Sequence, residues 1–341
     1  MESFALSSFF EGGAFFIIRR SAAMKNEKLP PNVIDFFELG PMSNARTCIT
    51  IGNFDGVHLG HQAIIRKMVR HAAGEEQSVI VITFFPDPSD FFSPKREAFY
   101  LTEPSEKTRL LRQLGVDQVL TFQFTNQFSQ LTAREFISAL VEKIGMETLV
   151  IGRDFALGKD RQGTLPVIHS LGLELGFSVE VVERIELSQQ EVSSTRIRQF
   201  LSAGQVYEAA KMLGHPYFIS GLVTHGSDRG AKIGLPTANI VHWPKKQLPA
   251  IGVYATRVLL AEKNYYGITN VGFRPTFEEQ NLPNIETHIL DFEGDIYGED
   301  LVLYFVQKIR DEQKFSGVDA LLAQIERDKS TARKIFSHGT L

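Results

Sequence analysis

The sequence predicts an α/β domain with a parallel sheet, followed by a small antiparallel β-barrel that ends in a helix. Three observations carry this reading. The chain has 341 residues, which at roughly 150 residues per domain suggests two domains. From Arg46 onward, β-branched runs alternate with helix-period segments, the pattern of a parallel sheet covered on both faces. After Gly214-His215-Pro216 the character changes, and short Val-, Ile-, Tyr- and Phe-rich runs follow one another between Gly, Pro, Asn and Asp. That is the pattern of an antiparallel barrel or sandwich.

Taken in order, 47–51 reads as a strand, 62–73 as a helix, and 78–84 as a buried β-branched strand. Residues 106–114 read as helix, 118–122 as strand, and 132–144 as a helix with apolar spacing. A strand at 148–151, a helix at 166–175 and a strand at 179–185 complete the alternation, and 194–213 forms one or two helices. The barrel strands are expected at 217–224, 252–260, 264–271, 285–291 and 300–308, and the last helix at 318–336. The domain boundary is placed near Gly214, giving a first domain over 33–214 and a second over 215–341. Residues 1–32 read as a flexible tail, with Met24 as an alternative start that an N-terminal mass would decide. The run Ala14 to Ile18 is too short, and its start too acidic, for a signal peptide.

Composition narrows the function classes. The formal charge of −4, from 36 basic and 40 acidic residues, gives no field for a nucleic-acid backbone. No apolar run approaches the ~20 residues of a membrane span. The single cysteine, Cys48, excludes an internal disulfide and makes a thiolate zinc site implausible. Its apolar strand context predicts a buried, inert thiol. The 27 phenylalanines are expected in the core. No obligate protein partner is indicated, and a cytoplasmic enzyme is expected.

Ile51-Gly52-Asn53-Phe54-Asp55-Gly56-Val57-His58-Leu59-Gly60-His61 joins the first strand to the first helix. A helix start offers free N–H groups and positive dipole character to a phosphate. The glycines allow close backbone approach. His58 and His61 are one turn apart, so both imidazoles can face one ligand. Two such donors can stabilise oxygens that gain charge during in-line displacement. Ser193-Ser194-Thr195-Arg196-Ile197-Arg198 places hydroxyls and arginines at another helix start, suited to phosphate or equally to an N-cap with a solvated basic face. Gly152 to Asp160 looks like a phosphate-binding P-loop, but has the wrong glycine spacing and lacks the Ser or Thr after lysine.

In the second half, Gly226 to Asn239 carries glycines that can wrap phosphates, with Thr237 and Asn239 as hard oxygen donors for magnesium. A plain Gly-rich hairpin fits the same residues. Glu286, on an apolar strand, is either a general base for a substrate hydroxyl or an outward-facing strand residue.

These motifs, in this order, resemble the bacterial bifunctional riboflavin kinase/FAD synthetase family. The resemblance runs from about Arg46 to Phe336 and rests on GNFDGVHLGH (52–61), GRDFALGKDRQG (152–163), SSTRIR (193–198), GLPTAN (234–239), TNVGFRPTF (269–277), ETHILDF (286–292) and IRDEQKF (309–315). It implies a Rossmann-like nucleotidyltransferase domain and a Greek-key riboflavin kinase barrel. The substrates and products would be riboflavin, FMN, FAD and ATP, with Mg2+ beside ATP. His58 and His61 would bind ATP phosphates, and Gly52, Asn53, Phe54 and Asp154 would line the nucleotide or flavin site. Ser194, Thr195 and Arg198 would hold phosphate groups. Gly226, Gly230 and Lys232 would form the kinase phosphate loop, Thr237 and Asn239 would hold the metal, Glu286 would be the base, and Arg310 would help close the flavin site. Asp87 stands where the family often has histidine, Ala231 where arginine is usual, and Leu235 where an aromatic is usual. An alternative is that one activity survives while the other domain only binds flavin. Separate assays of FMN and FAD formation discriminate the two.

Overall fold

The computed structural model describes residues 33–42, 46–93, 99–225, 235–272 and 283–337. They divide into two compact units, one ending at Ser194 and the other starting at Thr195.

The first unit is built on strands β1 (Val33–Ile34), β2 (Thr47–Ile51), β3 (Ser78–Phe85), β4 (Gln118–Gln123), β5 (Met146–Gly152) and β6 (Ser178–Val182). They form one sheet in the order β1-β4-β3-β2-β5-β6, and every pairing is parallel. Its helices are α1 (Leu59–Glu75), α2 (Pro88–Phe92), α3 (Pro104–Gln113), α4 (Asn126–Ser129), α5 (Ala133–Ile144) and α6 (Leu165–Leu175). All five residues of β2 are buried, as befits a parallel strand covered on both faces. Helix α5 starts on a Thr132/Glu135 capping box and stops at Gly145 in the left-handed conformation, so its ends are set by local sequence. From β2 the chain runs outward through β3 and β4, then returns to the other side of β2 as β5. The strand order therefore reverses between β2 and β5, and a crevice opens at the carboxyl ends of strands at such a point.

Two features of this sheet were not expected from the sequence. The strand β1 pairs with β4, and Phe36 beyond it packs edge-on against Phe122 and Phe128 with centroids 5.3 and 5.4 Å apart. The strand expected to reach Ile185 ends at Val182, and the chain turns into a small hairpin of β7 (Glu186–Leu187) and β8 (Gln190–Glu191). Cys48 is fully buried, and burial, helped by the Glu180 charge, pushes its thiol up to about 12.

The second unit contains α7 (Ser194–Ser202) from Thr195 onward, α8 (Val206–Leu213), and a closed barrel. The strands are β9 (Tyr217–Thr224), β10 (Ala238–Val241), β11 (Gly252–Leu260), β12 (Lys263–Gly272), β13 (Asn284–Ile289) and β14 (Asp300–Arg310). They close in the order β10-β13-β12-β11-β14-β9. Gly214 ends α8 in the left-handed conformation, inside this unit. The buried hydroxyls of Thr256, Thr269 and Thr287 form a chain with both links at 2.8 Å. They satisfy one another where no water reaches. Helix α9 (Val318–Ser337) buries Ala332 against Val253, Ala255, Ile268 and Leu290.

Candidate active sites

In the first unit, helix α1 begins beside the crevice. His58 is its N-cap, and its Nδ1 accepts from the His61 backbone N–H at 3.4 Å. An imidazole whose Nδ1 accepts carries its proton on Nε2 when neutral, so the cap fixes the tautomer. The His58 and His61 rings stack with centroids 3.6 Å apart and planes 16° from parallel. Phe54 covers His61 at 4.9 Å. Burial, with the charges of His58 and Lys107 adding to it, drives the His61 pKa well below the ordinary histidine value. Its Nδ1 is buried without a hydrogen-bond partner.

The preceding turn is strained and strongly held. Phe54 and Val57 have φ of +48° and +42°, a conformation that costs a bulky residue about 1–3 kcal/mol. Both side chains are buried. The Asp55 carboxylate accepts from the backbone N–H groups of Leu101 and Thr102, both at 3.0 Å, and from the Thr102 hydroxyl at 3.1 Å. The Asn53 carbonyl accepts from Lys107 Nζ at 2.7 Å and the Thr83 hydroxyl at 3.1 Å. The Ser194 hydroxyl donates to the Asp55 carbonyl at 2.9 Å. A Cβ on Gly60 would come within 3.1 Å of the His58 ring, which explains the glycine between the histidines.

Two adjoining clefts open here. One, of about 460 Å³, is walled by Phe84, Phe92, Phe124, Phe128 and Phe155, with Asn53 and Asp154 at its polar side. The other, of about 310 Å³, is lined by Phe54, His58, Gly60, His61, Arg184 and Ser193. Ile51, Gly52, Asp154 and Phe155 line both. Among these phenylalanines Phe36 and Phe122 serve the core, Phe84, Phe92, Phe124 and Phe155 the cleft, and Phe128 and Phe136 both.

Asp154 is half-exposed and ion-paired with Arg184, which also reaches Glu191 at 3.2 Å. Arg184 and Lys107 were not found from the sequence, since neither lies in a motif and each reaches its partners only through the fold. Asp87 is buried and caps α2, its carboxylate accepting from the Ser89 N–H at 2.8 Å. It is therefore anchored to its own helix. In the loop that imitates a P-loop, Gly158 has φ +77°, and a Cβ there would stand 2.6 Å from the Ala133 nitrogen. That glycine serves chain packing. Thr195 and Arg198 follow Ser194 on α7 and belong to the second unit.

In the barrel, Asn239 on β10 lies opposite Glu286 on β13, and Glu286 opposite Asn270 on β12. These three residues form one row across three strands. Asn284 Nδ2 donates to Glu286 Oε1 at 2.7 Å and to Asn239 Oδ1 at 3.2 Å. Asn284, absent from the sequence reading, thus ties together the expected base and an expected metal ligand. Thr237 is half-buried just before β10. Threonine hydroxyl, asparagine oxygen and carboxylate are all hard oxygen donors, a set that fits magnesium shared with phosphates. Among the described residues, no group of three or more His, Cys, Asp or Glu side chains could hold a metal ion. Arg310 donates to Asp328 on α9. Gly226, Gly230 and Lys232, with Ala231, lie outside the described residues.

Comparison with known proteins agrees with this division. The FAD synthetase family model matches residues 40–196 and the riboflavin kinase model residues 213–336. The bifunctional riboflavin kinase/FMN adenylyltransferase of Escherichia coli K12 is 40% identical over 290 residues, covering 84% of this chain and 92% of that protein. The protein of the same name from Bacillus subtilis is 35% identical over 297 residues, covering 86% and 94%. A solved structure named as a macrolide-efflux protein, from Streptococcus pneumoniae, superposes with a TM-score of 0.80 at 33% identity, covering 86% of this chain and 95% of that one. Among the described residues no helix is long and apolar enough to cross a membrane. A switch-point crevice meeting a histidine-bearing helix start, in one chain with a closed six-stranded barrel, defines a two-domain transferase that uses nucleotides. The chain belongs to the bifunctional riboflavin kinase/FMN adenylyltransferase family.

Proposed function

We propose that this enzyme makes both flavin coenzymes, phosphorylating riboflavin to FMN in the barrel unit and adenylating FMN to FAD in the α/β unit. The observation that supports this reading is that His58 stacks on His61 within the stretch matching FAD synthetase, and that Asn284 joins Glu286 to Asn239 within the stretch matching riboflavin kinase. We assign the enzyme to the cytoplasm, on its resemblance to this family.

For adenylation, the aromatic cleft suits the flat, apolar flavin ring, and the histidine cleft suits the phosphates of ATP. An FMN phosphate oxygen attacks the α-phosphorus of ATP, that bond forms, and the bond to pyrophosphate breaks. The Nε2–H of neutral His58 is the donor to a phosphate oxygen as its charge grows in this reading, and a donor of this kind is worth roughly 2.7–4 kcal/mol. His61, held neutral, completes the pair. Ser194, its hydroxyl given to the Asp55 carbonyl, serves the phosphates in this reading by holding the turn before His58.

For phosphorylation, Glu286 takes the proton of the riboflavin 5′-hydroxyl as its oxygen attacks the γ-phosphorus and ADP leaves. Thr237 and Asn239 would hold magnesium, which when bound neutralises phosphate charge. Asn284 fixes the Glu286 carboxylate through one oxygen.

The test is a chromatographic time course with riboflavin, ATP and magnesium, beside one started from FMN. FMN followed by FAD in the first, and FAD in the second, is the expected outcome. FMN without FAD in either would leave only the kinase, and FAD from supplied FMN alone would leave only the adenylyltransferase.

A further inference from the structure

We propose that Lys107 is a positioning residue for adenylyl transfer: from α3, its ammonium holds the Asn53 carbonyl and so fixes the Gly52-Asn53-Phe54 turn that lines both clefts. This rests on the assignment of adenylyl transfer to the α/β unit.

Lysine is almost never fully buried without a specific partner, yet Lys107 is only 6% exposed. Its amine donates to two neutral oxygens, the Asn53 carbonyl at 2.7 Å and the Thr83 hydroxyl at 3.1 Å. The Thr83 hydroxyl donates in turn to the same carbonyl at 3.1 Å. One backbone oxygen at the end of β2 therefore receives two hydrogen bonds, one from the adjacent strand and one from α3. The next residue, Phe54, is held at φ +48°, and a strained turn persists only where its surroundings over-determine it. Gly52 lines both clefts, Asn53 the aromatic one and Phe54 the histidine one, so a shift of this turn would misplace both substrates at once. If filling space were the only need, an apolar side chain of similar size would serve without the desolvation cost of a buried charge.

The same ammonium stands as a positive charge near His61. The charges that act on this histidine are His58 on its own segment and Lys107 on α3; Arg153, Asp154, Glu183, Arg184 and Glu191 line the same cleft, and the carboxylates of Asp55 and Asp87 act on Lys107. Both carboxylates are already hydrogen-bonded to the backbone, Asp55 to Leu101 and Thr102 and Asp87 to Ser89. Removing Lys107 leaves them in place, so His61 would take up a proton more readily.

The full-length protein is assayed for FAD formation from FMN and ATP, and separately for FMN formation from riboflavin and ATP. The variants are Lys107→Met, Lys107→Arg and Thr83→Val. In Lys107→Met, kcat for FAD should fall about 100-fold, as small displacements of a positioned substrate can do, while FMN formation holds. The acid inflection of that kcat should move upward in pH. Lys107→Arg should restore its position, and Thr83→Val, which keeps the charge, should lower kcat without moving it. A kcat for Lys107→Met within about twofold of wild type, or an unmoved inflection, overturns the proposal. Should Lys107→Met fail to fold, judged by lost FMN formation and lost cooperative melting, Thr83→Val decides. An unchanged kcat there overturns the proposal, and a reduced kcat with FMN formation intact upholds it. Wild-type protein that makes FMN but no FAD would instead remove the assignment of the site.

Discussion

Arg310 lays its guanidinium against the buried carboxylate of Asp328, with Nε at 3.0 Å from both oxygens and Nη2 at 2.8 Å from one. The arginine ends β14 and the aspartate sits within α9, so the pair pins the terminal helix to the barrel. Gln324 adds a hydrogen bond to the same carboxylate at 2.8 Å. Asp328→Ala should destabilise the barrel unit by about 3–5 kcal/mol, because it strands a largely buried guanidinium. The check is urea unfolding followed by FMN formation, with FAD formation from supplied FMN as the internal control.

His61→Ala should reduce FAD formation by about 100-fold or more, the usual loss when one transition-state donor is removed. FMN formation should be nearly unchanged, because His61 lies in the other unit. Equal loss of both activities would contradict two separate sites.

His61 also links stability to pH. Its folded pKa is lowered by burial first, then by the His58 and Lys107 charges. Between the depressed folded value and the unfolded value of about 6.5, the unfolded chain binds the extra proton and the folded one does not. Stability therefore rises with pH through that window and is lost as pH falls below about 6.5. Melting temperatures across the window should show this slope, and His61→Gln should flatten it.

Glu286→Gln should abolish FMN formation and spare adenylation of supplied FMN. Asn284→Ala should weaken FMN formation about tenfold or more, the worth of a hydrogen bond to a charged group. Retained kinase activity in Glu286→Gln would remove it as the base.

The alternation of strands and helices was legible because strands buried on both faces read as unbroken apolar runs, as in Ser78–Phe85. The barrel strand Ala238–Val241 was missed because its four residues follow directly on a Gly- and Pro-rich motif, which drew attention to the loop. The two-residue strand at Val33–Ile34 is too short to show any period. The overlong reading of β6 has a similar cause, since Val182-Glu183-Arg184-Ile185 keeps an apolar rhythm while the chain already leaves the sheet. Of the candidate site, His58, His61, Asn239 and Glu286 could be proposed from the sequence because motifs carry them. Lys107, Arg184 and Asn284 were not, because the contacts that make them matter are tertiary. Lys107 reaches across 54 positions to Asn53, and no local pattern records such a pairing.

Cys48, sealed in the central strand of the sheet with its thiol pushed up to about 12, makes the chain a clean background for sulfur-directed labelling. It is the only cysteine in the sequence, and a buried thiol that stays protonated does not compete for an electrophilic dye. A cysteine introduced at Leu173, 90% exposed on α6, or at Val241, 53% exposed on β10, would be the sole reactive sulfur. One fluorophore could then be placed on either catalytic unit of the unaltered fold, and each reaction followed by its own light signal.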